Sequence, residues 1–290
     1  MDKTVGVIGL GIMGGAIAAN LIERGWVVHG YDVVPERMEA LSASGLNAMR
    51  DVASVVTTSP ILLTSLPTPA AARQVAQEIA ASGASGRIVA ELSTFALADK
   101  LAIREALEAG GHIPLDCPLS GTGAQAKMRD LIVYASGDPG AIAACQPLFA
   151  DFAKQSTDLG AYGNGSRMKF IANLLVAIHN VAAAEAMVLA ARAGLDLERV
   201  VEVIGPGAGG SRMFQMRAPM MASGHYEPAT MRVSMWRKDM EIIAAFAREL
   251  DVPTPLFDGT APIYAEALAM GLGDQDTASV YEVMQRLKRE

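Results

Sequence analysis

The stretch Gly163 to Asn173, GNGSRMKFIAN, sets a cation at the head of an apolar run that continues as LLVAIHNVAAAEAMVLAAR. Lys169 and Asn173 are four residues apart and share one face if the segment is helical. A lysine beside a dry cleft has its charged form disfavoured, which brings its pKa down towards neutral pH and lets it exchange protons there. Such a group suits a reaction in which a hydroxyl loses its proton as a hydride leaves the carbon, with Asn173 holding either the hydroxyl or the lysine. Spacing alone fits a lysine snorkelling from a helix end equally well. A second candidate is Ser120-Gly121-Thr122 in DCPLSGTGAQAK. Two hydroxyls and the N–H groups of a short loop can form a nest for a carboxylate, although such a tripeptide is more commonly an ordinary turn.

Groups of this kind act only if elements hold them, and the first half of the chain reads as a series of strands and helices. TVGVIGL, VVHGYDV, ILLTSL and RIVAELS read as strands, and HIPLDCPLS and DLIVYASG as two more. Helical patterns cover Met13 to Arg24, Pro35 to Ser44, Ala70 to Ala81 and Ala96 to Ala109. Strands alternating with helices predict an α/β unit, a parallel sheet with helices on both faces. From Gly163 onward strand signals cease and Ala-, Met- and Leu-rich helical patterns take over, which sets a domain boundary near Tyr162: residues 1–162 and 163–290. The run from Phe170 to Ala191 is about long enough to cross a bilayer. Asn173, His179, Asn180 and Glu185 interrupt it, and polar groups at mid-span are costly in lipid, so a buried helix between domains or subunits is expected instead of a membrane segment.

Gly9-x-Gly11-x-x-Gly14 lies between an apolar strand and a helix. In that setting Gly9 permits the tight turn, Gly11 lets a pyrophosphate approach the backbone and Gly14 lets helix and strand pack closely. Leu10, Ile12 and Met13 belong to the same dinucleotide-binding turn. Asp32 closes the second strand where the fingerprint has a carboxylate for a ribose 2′-hydroxyl. A carboxylate there repels a 2′-phosphate, so NAD is favoured over NADP, with NADP possible if Arg37 compensates; the plainer reading of Arg37 is a solvated helix arginine. Leu66 and Pro67 in SLPT and Thr94 in LST fall at the carboxyl ends of strands, where such sheets bind ligands, and Ser and Thr there also serve as helix caps.

Composition narrows the rest. The chain has 290 residues, 51% hydrophobic and 19% charged, enough for a sizeable core. A net charge of −7 argues against a nucleic-acid partner. The N-terminus shows no signal peptide, so a cytoplasmic protein is expected. Cys117 and Cys145 form no CxxC pair, and the four histidines lack ligand spacing, so neither a disulfide framework nor a metal site is expected.

Taken in order, GLGIMG, Asp32, SLPT, LST, DCPLSG, GNGSRMKFIAN and WRKD resemble the β-hydroxyacid dehydrogenases over nearly the whole chain. That family includes 3-hydroxyisobutyrate, L-threonate and D-erythronate dehydrogenases and tartronate semialdehyde reductase. The resemblance implies a Rossmann domain, a long interdomain helix and an all-α C-terminal domain that forms homodimers or homotetramers. It implies hydride transfer between NAD(P) and a small hydroxy acid or its semialdehyde or keto form. Lys169 then stands as the acid/base, with Asn173 matching the asparagine that follows it. Ser120, Gly121 and Thr122 stand as carboxylate binders, Asp32 at the ribose and Thr94 near the nicotinamide. Lys238, beside Asp239, matches a lysine that reaches back to the cofactor and substrate cleft. In GSRMFQMRAP, Ser211, Phe214 and Arg217 resemble the threonate-type branch, and Arg217 would meet a substrate carboxylate or phosphate; a structural arginine in a methionine-rich interface is the other reading.

Two departures from the family pattern bear on substrate choice. Thr122 stands where the family usually has a second glycine, and Ala172 where it often has a first asparagine. Lys169 argues against an imine reductase, whose relatives usually carry Asp or Tyr there. It also argues against a non-catalytic cofactor-binding oligomerisation module. The helical part is too short for a 6-phosphogluconate dehydrogenase.

Overall fold

The computed structural model describes residues 3–287. Residues up to Lys169 form one compact unit and those from Phe170 onward a second.

The first unit is built on a nine-stranded sheet. Strands β1 (Thr4–Ile8), β2 (Val27–Tyr31), β3 (Asn47–Ala48), β4 (Ile61–Thr64), β5 (Ile88–Glu91) and β6 (Ile113–Asp116) are parallel and run in the order β3-β2-β1-β4-β5-β6. The order reverses at β1, with β2 on one side and β4 on the other, and in such sheets ligands bind at that switch point outside the strand ends. Side chains alternate between faces. Ile61 and Leu63 join a core with α1 (Ile12–Glu23) and α7 (Pro139–Phe152), while Leu62 joins one with α3 (Val52–Thr58), α4 (Pro69–Ala80) and α5 (Leu97–Ala109). Burial of both faces explains why ILLT reads as a continuous apolar run.

The sheet is not wholly parallel. After β6, the short β7 (Leu119–Ser120) and the five-residue helix α6 (Gly123–Lys127) lead to β8 (Ile132–Gly137), which pairs antiparallel with both β6 and β7. A parallel return needs a crossover that carries the chain back along the sheet, and α6 is too short to make one. Strand β9 (Gln155–Asp158) then pairs parallel with β8.

Beyond the elements expected from the sequence, the unit contains β3, beside α2 (Pro35–Ser42), together with α3, α6, α7 and β9. The local signals of α3 and α7 are visible in retrospect. Asp51 accepts a bond from Ser54 N and caps α3. Asp138 accepts from Ala141 N ahead of Pro139 and caps α7, whose internal Pro147 interrupts the expected helical pattern.

Helix α8 (Asn164–Arg192) begins in the first unit and ends in the second. It is long and apolar enough to cross a membrane by length and composition. In the second unit it packs with α9 (Leu197–Ile204), α10 (Arg212–Ser223), α11 (Val233–Glu249), α12 (Pro255–Ala269) and α13 (Val280–Arg286) around Phe170, Met187, Trp236, Phe257 and Tyr264. Its buried amide nitrogens find protein partners. Asn180, fully buried, donates from Nδ2 to the Tyr264 hydroxyl at 2.9 Å and to the Thr277 carbonyl at 2.8 Å. This is the behaviour of a core helix, since a buried amide without partners is costly. One stripe of α8 stays at the surface: Ile171, Leu175, Ala182, Glu185 and Leu189 are exposed and Ile178 is half-buried, at alternating spacings of four and three.

Candidate active site

The glycine turn has the geometry that its spacing predicts. Gly9 has φ +91°, and a Cβ there would run into the Ser65 carbonyl oxygen. A Cβ on Gly14 would strike the Gly9 carbonyl, so the third glycine is what allows α1 to leave the strand so closely. Gly11 differs. The nearest atom to a Cβ there would be Arg37 Nη1 at 3.9 Å, so space lies open over the backbone. Gly11 is also the N-cap of α1, has no side-chain capping bond, and no acidic residue occupies the first turn. Unmatched N–H groups at a helix N-terminus beside an open approach fit a dinucleotide pyrophosphate. Ile12, 72% exposed, projects beside this turn, and Met13 packs against the sheet core below it.

Asp32 is buried at the end of β2 and accepts bonds from Leu10 N at 2.7 Å and Val34 N at 2.9 Å. Arg37 Nη1 lies 3.2 Å from Oδ2. Arg37 is thus an ion-pair partner of Asp32 and not a freely solvated helix residue. It shields the carboxylate from one side while the glycine turn holds it from another. Leu66 N donates to Ser93 Oγ at 3.0 Å and Ser93 N to Glu91 Oε1 at 2.9 Å, which ties the loop bearing Leu66 and Pro67 to the loop bearing Thr94.

Ser120, Gly121 and Thr122 connect β7 to α6 beside the glycine turn, for a Cβ on Gly123 would meet the Ile12 side chain. Gly121 has φ +135°, a conformation that favours glycine. Thr122 is the N-cap of α6 in a capping box: Gln125 N donates to Thr122 Oγ1, and Thr122 N donates to Gln125 Oε1 at 3.0 Å. The hydroxyl and backbone N–H of Thr122 are therefore engaged by α6. The T-x-x-Q signature carried this information, but the capping box escaped the sequence reading.

Lys169 is 9% exposed, in the second turn of α8. The turn before it is clamped to the sheet. Ser166 N and Oγ donate to the Asp116 carboxylate at 2.7 and 2.9 Å, and Gly165 N donates to Ser136 Oγ at 2.9 Å. A Cβ on Gly165 would press on the carbonyls of Tyr134 and Asp116, so glycine is required for that approach. In the second unit, Asn173 Nδ2 donates to Asp239 Oδ2 at 3.0 Å, and Lys238 Nζ lies 3.3 Å from Asp239 Oδ1. The structure thus groups Asn173, Lys238 and Asp239, one turn of α8 beyond Lys169. Arg217, expected at the substrate, is instead 3% exposed and pairs with Asp276 at 3.0 Å while donating to Thr230 Oγ1 at 2.6 Å. Burial pulls its pKa down and Asp276 opposes that pull. Asp276 also accepts from Thr230 N, Met231 N and Ala278 N, so this is a closed buried cluster in the manner of a structural ion pair.

A Rossmann unit whose glycine turn is open above Gly11, followed by a helical unit, is an arrangement found in NAD(P)-dependent dehydrogenases. Residues 4–161 match the family described as the NAD binding domain of 6-phosphogluconate dehydrogenase, and residues 163–284 match the NAD-binding family of NADP-dependent 3-hydroxyisobutyrate dehydrogenase. An L-threonate dehydrogenase of Cupriavidus necator is 31% identical over 98% of this chain and 96% of its own. A glyoxylate/succinic semialdehyde reductase of Arabidopsis thaliana is 29% identical over 97% and 98%. The Mycobacterium tuberculosis 3-hydroxyisobutyrate dehydrogenase superposes with a TM-score of 0.89 at 26% identity, covering 98% of this chain and 100% of that one. The chain belongs to the β-hydroxyacid dehydrogenase family and is an NAD(P)-dependent oxidoreductase.

Replacing Thr122 with Ala removes the α6 cap. The expected cost is about 1 kcal/mol of stability, read as a lowered denaturation midpoint; an unchanged midpoint would show that the cap contributes nothing.

Proposed function

We propose that this enzyme interconverts a three- or four-carbon hydroxy acid and its keto or semialdehyde form, with Lys169 as the proton-transfer group. The observation that carries this reading is the placement of Lys169: a nearly buried lysine directly after a helix turn that three hydrogen bonds fix to the sheet, where its neutral amine can accept a proton and its ammonium return one. Proton transfer needs a donor at a defined position more than it needs a charge. In oxidation Lys169 Nζ takes the substrate hydroxyl proton, and in reduction it returns it. Ser120 and Gly121 bind the substrate carboxylate and so set which carbon carries the reacting hydroxyl; Thr122 shapes the loop through its cap. Asn173, oriented by Asp239, holds the hydroxyl or the lysine, and Lys238 contributes charge to that group. Bound nicotinamide supplies or accepts the hydride. Arg217 is assigned a structural role, because its guanidinium is sequestered by Asp276. The named activities of the relatives support the substrate class. Lys169→Ala is expected to lower kcat by ~10²–10⁴-fold in a panel of C3–C4 hydroxy acids and semialdehydes; near-normal turnover would refute the acid/base assignment.

Asp32 supports NAD as the preferred cofactor. Its carboxylate sits where a 2′-phosphate would have to approach, and Arg37 is occupied by that same carboxylate. Titration should give a lower Kd for NADH than for NADPH. Asp32→Ala should narrow or invert the difference by freeing Arg37, and tighter NADPH binding to the native enzyme would contradict the reading.

The stripe Ile171, Leu175, Ile178, Ala182, Glu185 and Leu189, apolar except for Glu185, supports self-association, most simply as a homodimer. Its alternating spacing is that of a helix–helix seam, and a solvated apolar stripe of this length is unfavourable. Sedimentation should show a dimer or tetramer that Ile171→Glu with Leu175→Glu drives towards monomer; a monomeric native enzyme would exclude this. The reading also locates the enzyme in the cytoplasm, as expected for a soluble metabolic dehydrogenase.

A further inference from the structure

Three ionisable groups in the first unit have no part in the reaction as written above, yet they share one dry site. Lys100 of α5, Glu91 at the end of β5 and Asp116 at the end of β6 are each at most 2% exposed. Lys100 Nζ pairs with Glu91 Oε2 and lies 2.9 Å from Asp116 Oδ1. Burial alone would pull the lysine's pKa down, but Asp116 and Glu91 outweigh it and the net shift is upward. The Asp116 carboxyl group faces Ser166 in the first turn of α8, where a backbone N–H and the helix N-terminus meet it.

Two lines of contacts leave this lysine. Through Asp116 one reaches Ser166 N and Oγ, and three residues later Lys169. Through Glu91 the other reaches Ser93 N, and Ser93 Oγ in turn accepts from Leu66 N, so it ends on the two loops at the carboxyl ends of β4 and β5. The lysine chain is backed by Phe95, with Nζ 5.8 Å from the ring centre, and its carbonyl accepts from the Tyr162 hydroxyl at 3.0 Å. Nothing in this chain of contacts touches solvent-exposed ground at Lys100 itself, so the geometry is held by packing on all sides.

We propose that Lys100 is a positioning residue: by bridging Glu91 and Asp116 it locks the base of α8, and with it Lys169, in register with the cofactor-facing loops that carry Leu66 and Thr94. The proposal rests on the reading of Lys169 as the proton-transfer group. A buried ion pair is in itself a weak source of stability, and a well-packed apolar replacement is often tolerated. What such a replacement cannot do is pull a strand-end carboxylate and a helix turn to one fixed point. A misplacement of about 1 Å at a reacting group costs ~10²-fold in rate.

The test uses the full-length enzyme with the hydroxy acid of highest turnover in the panel above. Lys100→Met alone strands two carboxylates, so the charge-balanced pair Lys100→Met with Glu91→Met is the main variant, and Ser166→Ala, which removes one hydroxyl and no charge, is the second. The paired variant is expected to melt cooperatively yet lose ~10–100-fold in kcat, with KM and the Kd for NADH changed less than ~3-fold. Ser166→Ala is expected to lose ~3–10-fold in kcat alone, and adding it to the paired variant should cost little more, because both act through the Asp116 carboxylate. A folded paired variant with kcat within ~3-fold of native, in an enzyme that Lys169→Ala inactivates, overturns the proposal. Fully additive losses overturn the shared route through Asp116. If Lys169→Ala itself keeps turnover, the acid/base reading fails first and is seen to fail independently of Lys100.

Discussion

Asp116 is a fully buried carboxyl group, and the first unit is organised around meeting its demand for partners. A buried carboxylate is tolerable only if it is paired and hydrogen-bonded. Its partners here come from separate elements: Lys100 from α5 and Ser166 from the first turn of α8, with Ser136 of β8 close by. Meeting that demand therefore draws those elements together. Helix α8 cannot start elsewhere without breaking these bonds, and Gly165 has no Cβ because the helix turn must lie directly on the strand carbonyls. The place where the long helix starts, and the position of the lysine in its second turn, follow from the hydrogen bonding of one carboxyl group.

The dinucleotide turn obeys a steric constraint of a different kind. Gly9 and Gly14 are excluded-volume residues, each facing a carbonyl that a side chain would strike, while Gly11 faces open space. The three glycines of one motif thus divide into two that close the backbone and one that leaves it approachable. Asp32 joins this arrangement through Leu10 N, so the carboxylate that bears on cofactor choice is also part of the turn's own hydrogen bonding. Changing it alters more than a contact with a ribose.

The second unit meets its buried polar groups from within itself. Asp276 draws together Arg217 of α10, Thr230 N, Met231 N and Ala278 N, and Asn180 is met by Tyr264 and the Thr277 carbonyl. An arginine that resembles a substrate anchor in the sequence is thereby withdrawn into the core. Asn173 differs, as its partner Asp239 is neighboured by Lys238, a half-exposed cation. The family membership and the two units agree on an NAD(P)-dependent hydroxy acid dehydrogenase, and the partners of Asn173 and Asn180 show how so apolar a helix carries buried amides.

Much of this could be read from residue order alone. The glycine turn, the alternation of strands and helices, the change to helix near residue 163 and the pairing of Lys169 with Asn173 on one helix face all depend on spacing within short segments, and local spacing survives folding. Helices α3 and α7 also had local signals, in Asp51 and in Asp138-Pro139, though Pro147 and the brevity of α3 obscured them. What could not be read depends on groups distant in sequence. The antiparallel turn of β8 is set by how little chain α6 offers for a return. Arg217 reads as an anion binder until Asp276, 59 residues later, is placed against it. Nothing in the spacing of Lys100, Glu91 and Asp116 shows that the fold buries all three against one another. The sequence by itself determined which segments turn, bind and bend, since those properties belong to neighbouring residues; the tertiary structure alone decided which charges are buried together, since desolvation and pairing depend on distances that only folding creates.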